Sequence, residues 1–591
     1  MFSSLGASVF FGAAVIALYA GAFLWKKEEN RVSGLKWVIL LAVLLGCYHT
    51  FAAALLDIVH LPVHLWSVGV LDLFPAGFFW YGVFVKKQRQ SYEWKLVDGI
   101  FLALLAAVIT VIAGIHYGGT ALTVNYASID AATHFRVAMN VVNEQTLVSM
   151  FHDSVWNALL IEFLSPFAAV DYYYRWYVLG ELINLALSAA IFYALLRERM
   201  KDWFSMAAGV ALSLLYVIAY PLNSALFGFS YLGMSVTVIG LLLAWTELFL
   251  GDRLPVYLSV AGLMLGCLAL FESYVLFMPV TFFAVLFCIF YRQQKCRQLV
   301  SWRTVILGLA VFLIPCVIGL WYVYGDIFTG GTTVSSAITN EGGCYRELYS
   351  NFMFFVPAAV LGYVNLCKRK ENQLLLFLTP LFLLFTIVML VGTIIGKASS
   401  YYYYKLYFPI WLILLLLNYY GIVYSARQAR GMVSAVLGVW CVLVLFGVLD
   451  VEDRIQQKAP LMVPSPRAGT YTDLIGFNYG FLRLPVYSLD KLDLYHYAYR
   501  EVLGQGEEII PGIMDYEDQL WFQNVTNQRY EGGCWSLMDS EQLHHQLEIS
   551  HTDYVVALYD SSLYTDNREY LDSLERIYEN SAGFVAVYAA E

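Results

Sequence analysis

The stretch IFLALLAAVITVIAGIHYGGTALTVNYASIDAATHF, residues 100–135, poses the fold question in one line. It opens in an apolar run that begins near residue 97 and ends near 115. About 20 such residues cross a bilayer as one helix. It then turns polar, and Asp130 and His134 arrive one helical turn apart. A chain that repeats such runs is a multi-pass membrane protein, and its chemistry belongs where the helices meet water.

Composition supports that reading. Of 591 residues, 60% are apolar and only 14% charged, with a mean hydropathy of +0.63. Soluble domains carry about 25% charged residues. Aromatics reach 17%, including 44 Tyr, which places many rings at interfaces or around a polar cavity.

Fourteen candidate spans lie near 6–25, 37–57, 64–85, 97–115, 176–196, 205–222, 231–250, 255–271, 274–291, 304–324, 351–367, 374–394, 406–424 and 432–449. The pair at 255–291 is tight enough to read also as re-entrant. Basic clusters KKEENR (26–31), KKQRQ (86–90), RERMK (197–201), GDR (251–253), RQQKCR (292–297), KRK (368–370) and ARQAR (426–430) each follow an odd-numbered span. The positive-inside rule makes those loops cytoplasmic and places the N-terminus and the C-terminal tail outside. No basic segment precedes the first apolar run and no A-x-A site follows it, so no cleavable signal peptide is expected.

Charge marks a domain boundary near 450. Residues 451–591 hold 23 acidic and 9 basic side chains, and residues 1–450 hold 22 and 26. The acidic tail reads as an α/β unit, with strands at 507–514, 553–560 and 583–590 and helices at 495–504, 517–527, 541–549 and 568–579. It shows no phosphate loop, zinc spacing or nucleophile elbow, which suits a domain that covers a site or guides an acceptor. NVT (524–526) matches a glycosylation acceptor. The expected organisation is an N-terminal three-span addition (1–96), a transmembrane core (97–450) and an extracytoplasmic domain (451–591).

The longest outer loop is 116–175. Within it FHDSVWNALLIEFLSPF (151–167) has the spacing of an interfacial helix. Asp130 near a helix start has a structural reading, complementing the helix dipole, with His134 stacked above it. It also has a chemical one: at a membrane interface a carboxylate needs a partner or a task. It can take the proton of a sugar hydroxyl attacking an anomeric carbon, while His134 or Arg136 orients it or faces a departing phosphate.

These features resemble the GT-C superfamily of glycosyltransferases: an outer-facing Asp in the first long loop, interfacial helices after it, many spans and an extracytoplasmic C-terminal domain. The string DAATH (130–134) is similar to a D-A-x-x-H signature of bacterial multi-pass proteins assigned there. RWYVLGELINLALSAAIFYALL (175–196) looks like the span that follows the catalytic loop. The likeness covers roughly 97–591. Many GT-C enzymes pair D-D or D-E in this loop and this sequence does not, which keeps Asp153 as a reserve base. The resemblance implies an inverting transferase of the plasma (inner) membrane. Its donor would be a polyprenyl-phosphate sugar and its acceptor a cell-envelope glycan, lipid or protein; nucleic acid has no part. A divalent cation is an allowed cofactor that no ligand cluster demands.

Other outer-side residues join the candidates. In GKASSYYYYKLYFP (396–409), Lys397 and Lys405 can hold a lipid phosphate or snorkel beside an aromatic belt, and Tyr404 stands for a sugar-stacking wall. Glu272 in FESY is an acid at membrane depth or a turn residue. YPLNSALFGFSYLG (220–233) reads as a structural outer turn. His60 and His64 read as interfacial packing rather than a metal site. Cys344 and Cys534, both after Glu-Gly-Gly, are either a disulfide or two free thiols. The competing functions are a transporter or flippase of lipid-linked or polar solutes, and a polymerase or ligase of lipid-linked glycans.

Overall fold

Helices dominate the computed structural model, as the apolar runs require. It describes residues 2–25, 32–295, 301–324, 355–426, 478, 480–482, 484–505, 510–528, 540–549 and 553–588. Twelve stretches among them are long and apolar enough to cross a membrane. The expected span at 432–449, Cys344 and Cys534 lie outside the described residues. The run at 351–367 is described from residue 355 onward, where it forms the helix Val356–Arg369. The tight pair at 255–291 resolves into two helices of spanning length that turn at Tyr274.

Helices α1 (Phe2–Leu24), α2 (Gly34–Ile58), α3 (Leu65–Phe84) and α4 (Leu96–His116) lead into the outer loop. That loop carries α5 (Asp130–Glu144) and α6 (His152–Leu164). The core continues through α7 (Tyr173–Arg197), α8 (Trp203–Ile218), α9 (Tyr220–Leu226), α10 (Ser230–Leu250), α11 (Val256–Ser273), α12 (Met278–Lys295) and α13 (Trp302–Tyr324). After α14 (Val356–Arg369) and α15 (Gln373–Ile394), the short α16 (Ser400–Lys405) runs into α17 over 407–426. Helix α10 is buried along nearly its whole length and forms the centre of the bundle. α2 packs on α6, α7, α10 and α11, while α1 and α3 pack chiefly on each other.

The loops expected on the cytoplasmic side gather at one end, tied by ion pairs. Lys36 and Arg253 share Glu198 at 2.8 and 3.1 Å, Arg199 reaches Glu247 at 2.8 Å, and Arg292 pairs with Asp252. Asp98 in the first turn of α4 meets Arg197 in the last turn of α7, and Tyr193 adds a 2.7 Å hydrogen bond.

The C-terminal domain sits at the other end, against the outer loop. Its four-stranded sheet is mixed: β3 (Gly512–Ile513) pairs parallel with β4 (Tyr554–Leu558), and β6 (Gly583–Val587) pairs antiparallel with β4 and with β5 (Glu575–Glu579). The first pair of strands in the chain, β1 (Val32–Ser33) and β2 (Tyr92–Glu93), is a two-residue ladder elsewhere. One expectation fails here. The helix at 568–579 stops at Asp572, and residues 575–579 become the edge strand β5. The i,i+4 pairing of Arg568 and Asp572 favours a helix, but the buried run GFVAV offers a ladder that overrides that preference. Helix α18 (Leu489–Tyr497) packs on β5 and β6, and α19 (Tyr516–Val525) packs on β3 and on α5 and α7.

Candidate active site

Asp130 is the first residue of α5, and Ile129, with no side-chain hydrogen bond, holds the cap position. The Asp130 N–H donates to Ser128 Oγ at 3.2 Å. Its half-buried carboxylate is thus free of capping work and within electrostatic reach of Tyr231. The start of α5 is fixed by the turn between α9 and α10. Ala127 N–H donates to the Leu226 carbonyl at 2.8 Å. Gly228, at φ +69°, presses so close that a Cβ there would stand 2.3 Å from the Ala131 Cβ.

One turn further on, His134 Nδ1 lies 3.4 Å from Asp153 Oδ2. Asp153 is in the first turn of α6, only 3% exposed, and accepts from Ser230 Oγ at 3.3 Å. The His134 ring lies over Tyr231, centroids 4.9 Å apart. Tyr231 Oη in turn accepts from Lys405 Nζ at 2.8 Å. The ammonium sits 4.1 Å from the Tyr401 centroid, 5.0 Å from Tyr274, 5.1 Å from Tyr231, 5.6 Å from Phe229 and 5.8 Å from Tyr402. Such rings attract a cation through their quadrupoles, and Lys405 is 3% exposed. Tyr231 is the hub: it joins the His134–Asp153 pair to a caged ammonium.

No family model and no curated protein matches this chain. Solved structures similar to it include two membrane proteins. ArnT from Cupriavidus metallidurans, bound to undecaprenyl phosphate, is 11% identical, with 83% of this chain and 98% of that one covered at a TM-score of 0.47. The Archaeoglobus fulgidus oligosaccharyltransferase in its apo form is 11% identical, with 78% and 69% covered at 0.42.

The cluster thus unites Asp130, His134, Asp153 and Lys405. The other candidates lie apart from it. Arg136 Nη2 donates to Gln523 Oε1 of the C-terminal domain at 2.6 Å. Lys397 is exposed on the turn after α15, and Tyr404 packs on Tyr403 and Tyr407. Glu272 is fully buried near the Met150 backbone and Tyr322. His64 caps α3 and binds Glu162 at 2.7 Å, which raises its pKa. No group of three His, Cys, Asp or Glu side chains suited to a metal occurs among the described residues.

Several participants escaped the sequence reading. The outer turn 220–233 supplies Phe229, Ser230 and Tyr231 as well as Gly228, so its role exceeds a structural turn. Tyr401 and Tyr402, rather than Tyr404, face the ammonium. Glu181 in α7 is 2% exposed and close enough to Asp153 for their charges to interact. One of its oxygens and Asn157 Oδ1 find no partner among the described residues. A single acid inside an apolar span was the available signal for Glu181.

Proposed function

We propose that this chain is a membrane glycosyltransferase. It moves a sugar from a polyprenyl-phosphate donor to a cell-envelope glycan, lipid or protein acceptor on the outer face. The observation that carries the reading is the hub itself. A buried, aromatic-caged ammonium and a carboxylate-bearing helix start share one tyrosine beside the C-terminal domain.

Each group then has a task. Lys405 holds the donor phosphate, a point charge suited to a tetrahedral anion. The acceptor hydroxyl attacks the anomeric carbon opposite the phosphate. The C1–O bond to phosphate breaks, its electron pair leaves on the lipid phosphate beside Lys405, and the hydroxyl proton passes to Asp130. Direct displacement inverts the centre. His134, tethered at Nδ1 by Asp153, presents Nε2 to substrate.

The test is transfer in proteoliposomes. Radiolabelled polyprenyl-phosphate sugars, undecaprenyl phosphate carriers first, are supplied with a crude envelope acceptor. Label that appears in the acceptor only with the protein supports the reading. Label that crosses the bilayer without changing its covalent partner makes the transporter reading correct instead. Chain growth of a lipid-linked glycan makes it a polymerase.

A further inference from the structure

Helix α19 of the C-terminal domain touches the segment that carries the chemistry, while Asn478 and Phe481 of that domain meet Asn223 and Phe227 of the 220–233 turn. Asn524 Nδ2 donates to the Ala132 carbonyl at 2.7 Å. Ala132 lies in the first turn of α5, between Asp130 and His134. Trp521 is fully buried. Its ring stacks on Tyr126 at 5.9 Å and 15°, and on Phe135 at 6.1 Å and 28°. These two rings bracket Asp130 and His134 in the chain. Gln523 binds Arg136, and Asn527 Oδ1 accepts from Asn143 at 3.0 Å. A second anchor stands beside this one: Asp171, fully buried, takes His496 Nδ1 at 2.8 Å and Arg500 Nε at 2.9 Å.

Helix α5 needs such support. It is too short to span a bilayer, so lipid does not fix its axis. Its cap residue contributes no side-chain bond. Half of its six buried residues are alanines, Ala131, Ala132 and Ala138, beside Phe135, Met139 and Val141, and the two alanines next to Asp130 let neighbours approach that turn closely. The Gly228 turn holds one side of its N-terminus and α19 holds the other.

We infer that α19 positions the Asp130–His134 helix, with Trp521 and Asn524 as positioning residues, so the C-terminal domain completes the site rather than merely shielding it. The inference rests on the transferase reading. It also settles the NVT tripeptide: the Asn524 amide is committed to Ala132 and buried, which bars glycan attachment in the folded protein.

The test uses the full-length protein in proteoliposomes with Asn524→Ala, Trp521→Ala, Trp521→Phe and, as a remote contact at the far end of α5, Asn143→Ala. Misplacing a reacting group by 1 Å can cost about 100-fold in rate. The two truncations lower kcat at least tenfold and leave KM for the polyprenyl-phosphate sugar within about twofold, because Lys405 is held by other elements. Trp521→Phe restores most of the rate and Asn143→Ala changes little. Amide hydrogen exchange across 126–139 speeds up in the truncations while 230–250 stays protected. Unchanged kcat with unchanged exchange in Asn524→Ala overturns the inference, as does a rise in KM with kcat intact. If wild type transfers nothing, the transferase reading fails by itself. Faster exchange across 126–139 then still supports positioning of α5, and unaltered exchange overturns it.

Discussion

Gly228→Ala separates a working site from a merely folded one. At φ +69° an L side chain costs about 1 kcal/mol, and the new methyl would meet the Ala131 Cβ at 2.3 Å and its Cα at 2.7 Å. Carbon atoms rest about 3.5–4.0 Å apart, so the turn and α5 must separate by roughly 1.5 Å. Ala131 follows Asp130 directly, and a shift of that size moves the carboxylate out of line with the anomeric carbon. The expected loss in kcat is about 100-fold, against a stability loss of about 1–3 kcal/mol from strain and overpacking. The assay is transfer kinetics alongside thermal melting in detergent. Ala131→Gly, which removes the struck methyl, should recover part of the rate in the double variant, giving a coupling energy above about 0.5 kcal/mol. Gly99→Ala is the control, since nothing lies within 4 Å of its added methyl. Unchanged kcat in Gly228→Ala refutes the claim that this contact sets the position of Asp130.

Further predictions follow from the same geometry. Lys405→Gln removes a cation whose attraction for a phosphate about 4 Å away amounts to about 4 kcal/mol at an effective dielectric of 20. Donor titration should show kcat/KM down by two to three orders of magnitude. Asp171→Asn loosens both His496 and Arg500; a broken buried pair costs about 3 kcal/mol or more, and limited proteolysis should release the C-terminal domain sooner than in wild type. His152 is buried against Thr50 Oγ1 at 2.5 Å, and burial pushes its pKa down to about 4. Its ordinary value is about 6.5, so between pH 6.5 and 4 the unfolded chain takes a proton that the folded chain refuses. Stability therefore falls with pH across that window, by about 3 kcal/mol in total. His152→Gln should flatten the acid side of the melting curve; an unaltered slope would show that other groups govern it.

The sequence made some of this legible and hid the rest for physical reasons. Span positions follow from the length of apolar runs, because a bilayer imposes a minimum helix length. Asp130, His134, Asp153 and Lys405 stood out because charge at a membrane interface is costly. Their common partner Tyr231 did not: a tyrosine at a helix mouth reads as belt, and it meets Lys405 across 174 positions in the chain. Periodicity tells which face is buried, never what it is buried against. The four consecutive tyrosines 401–404 differ only in helical phase, so the sequence does not single out Tyr401 and Tyr402 as the rings beside Lys405. The edge strand β5 was missed because its charged pairs satisfy helical spacing locally, while its partner strand lies within GFVAV (583–587). Gly228 carried no local sign at all: its close approach to Ala131 depends on two turns nearly 100 residues apart.

The most direct measurement is single-turnover transfer by Asp130→Asn, run beside Asp153→Asn at matched protein and donor. Asparagine keeps the shape of each side chain and removes its basicity. The account predicts that Asp130→Asn loses at least 100-fold in the chemical step with donor binding retained, while Asp153→Asn, which loosens the tether on His134, loses about tenfold. Full transfer by Asp130→Asn, or a greater loss in Asp153→Asn, would contradict Asp130 as the base and move that role to Asp153.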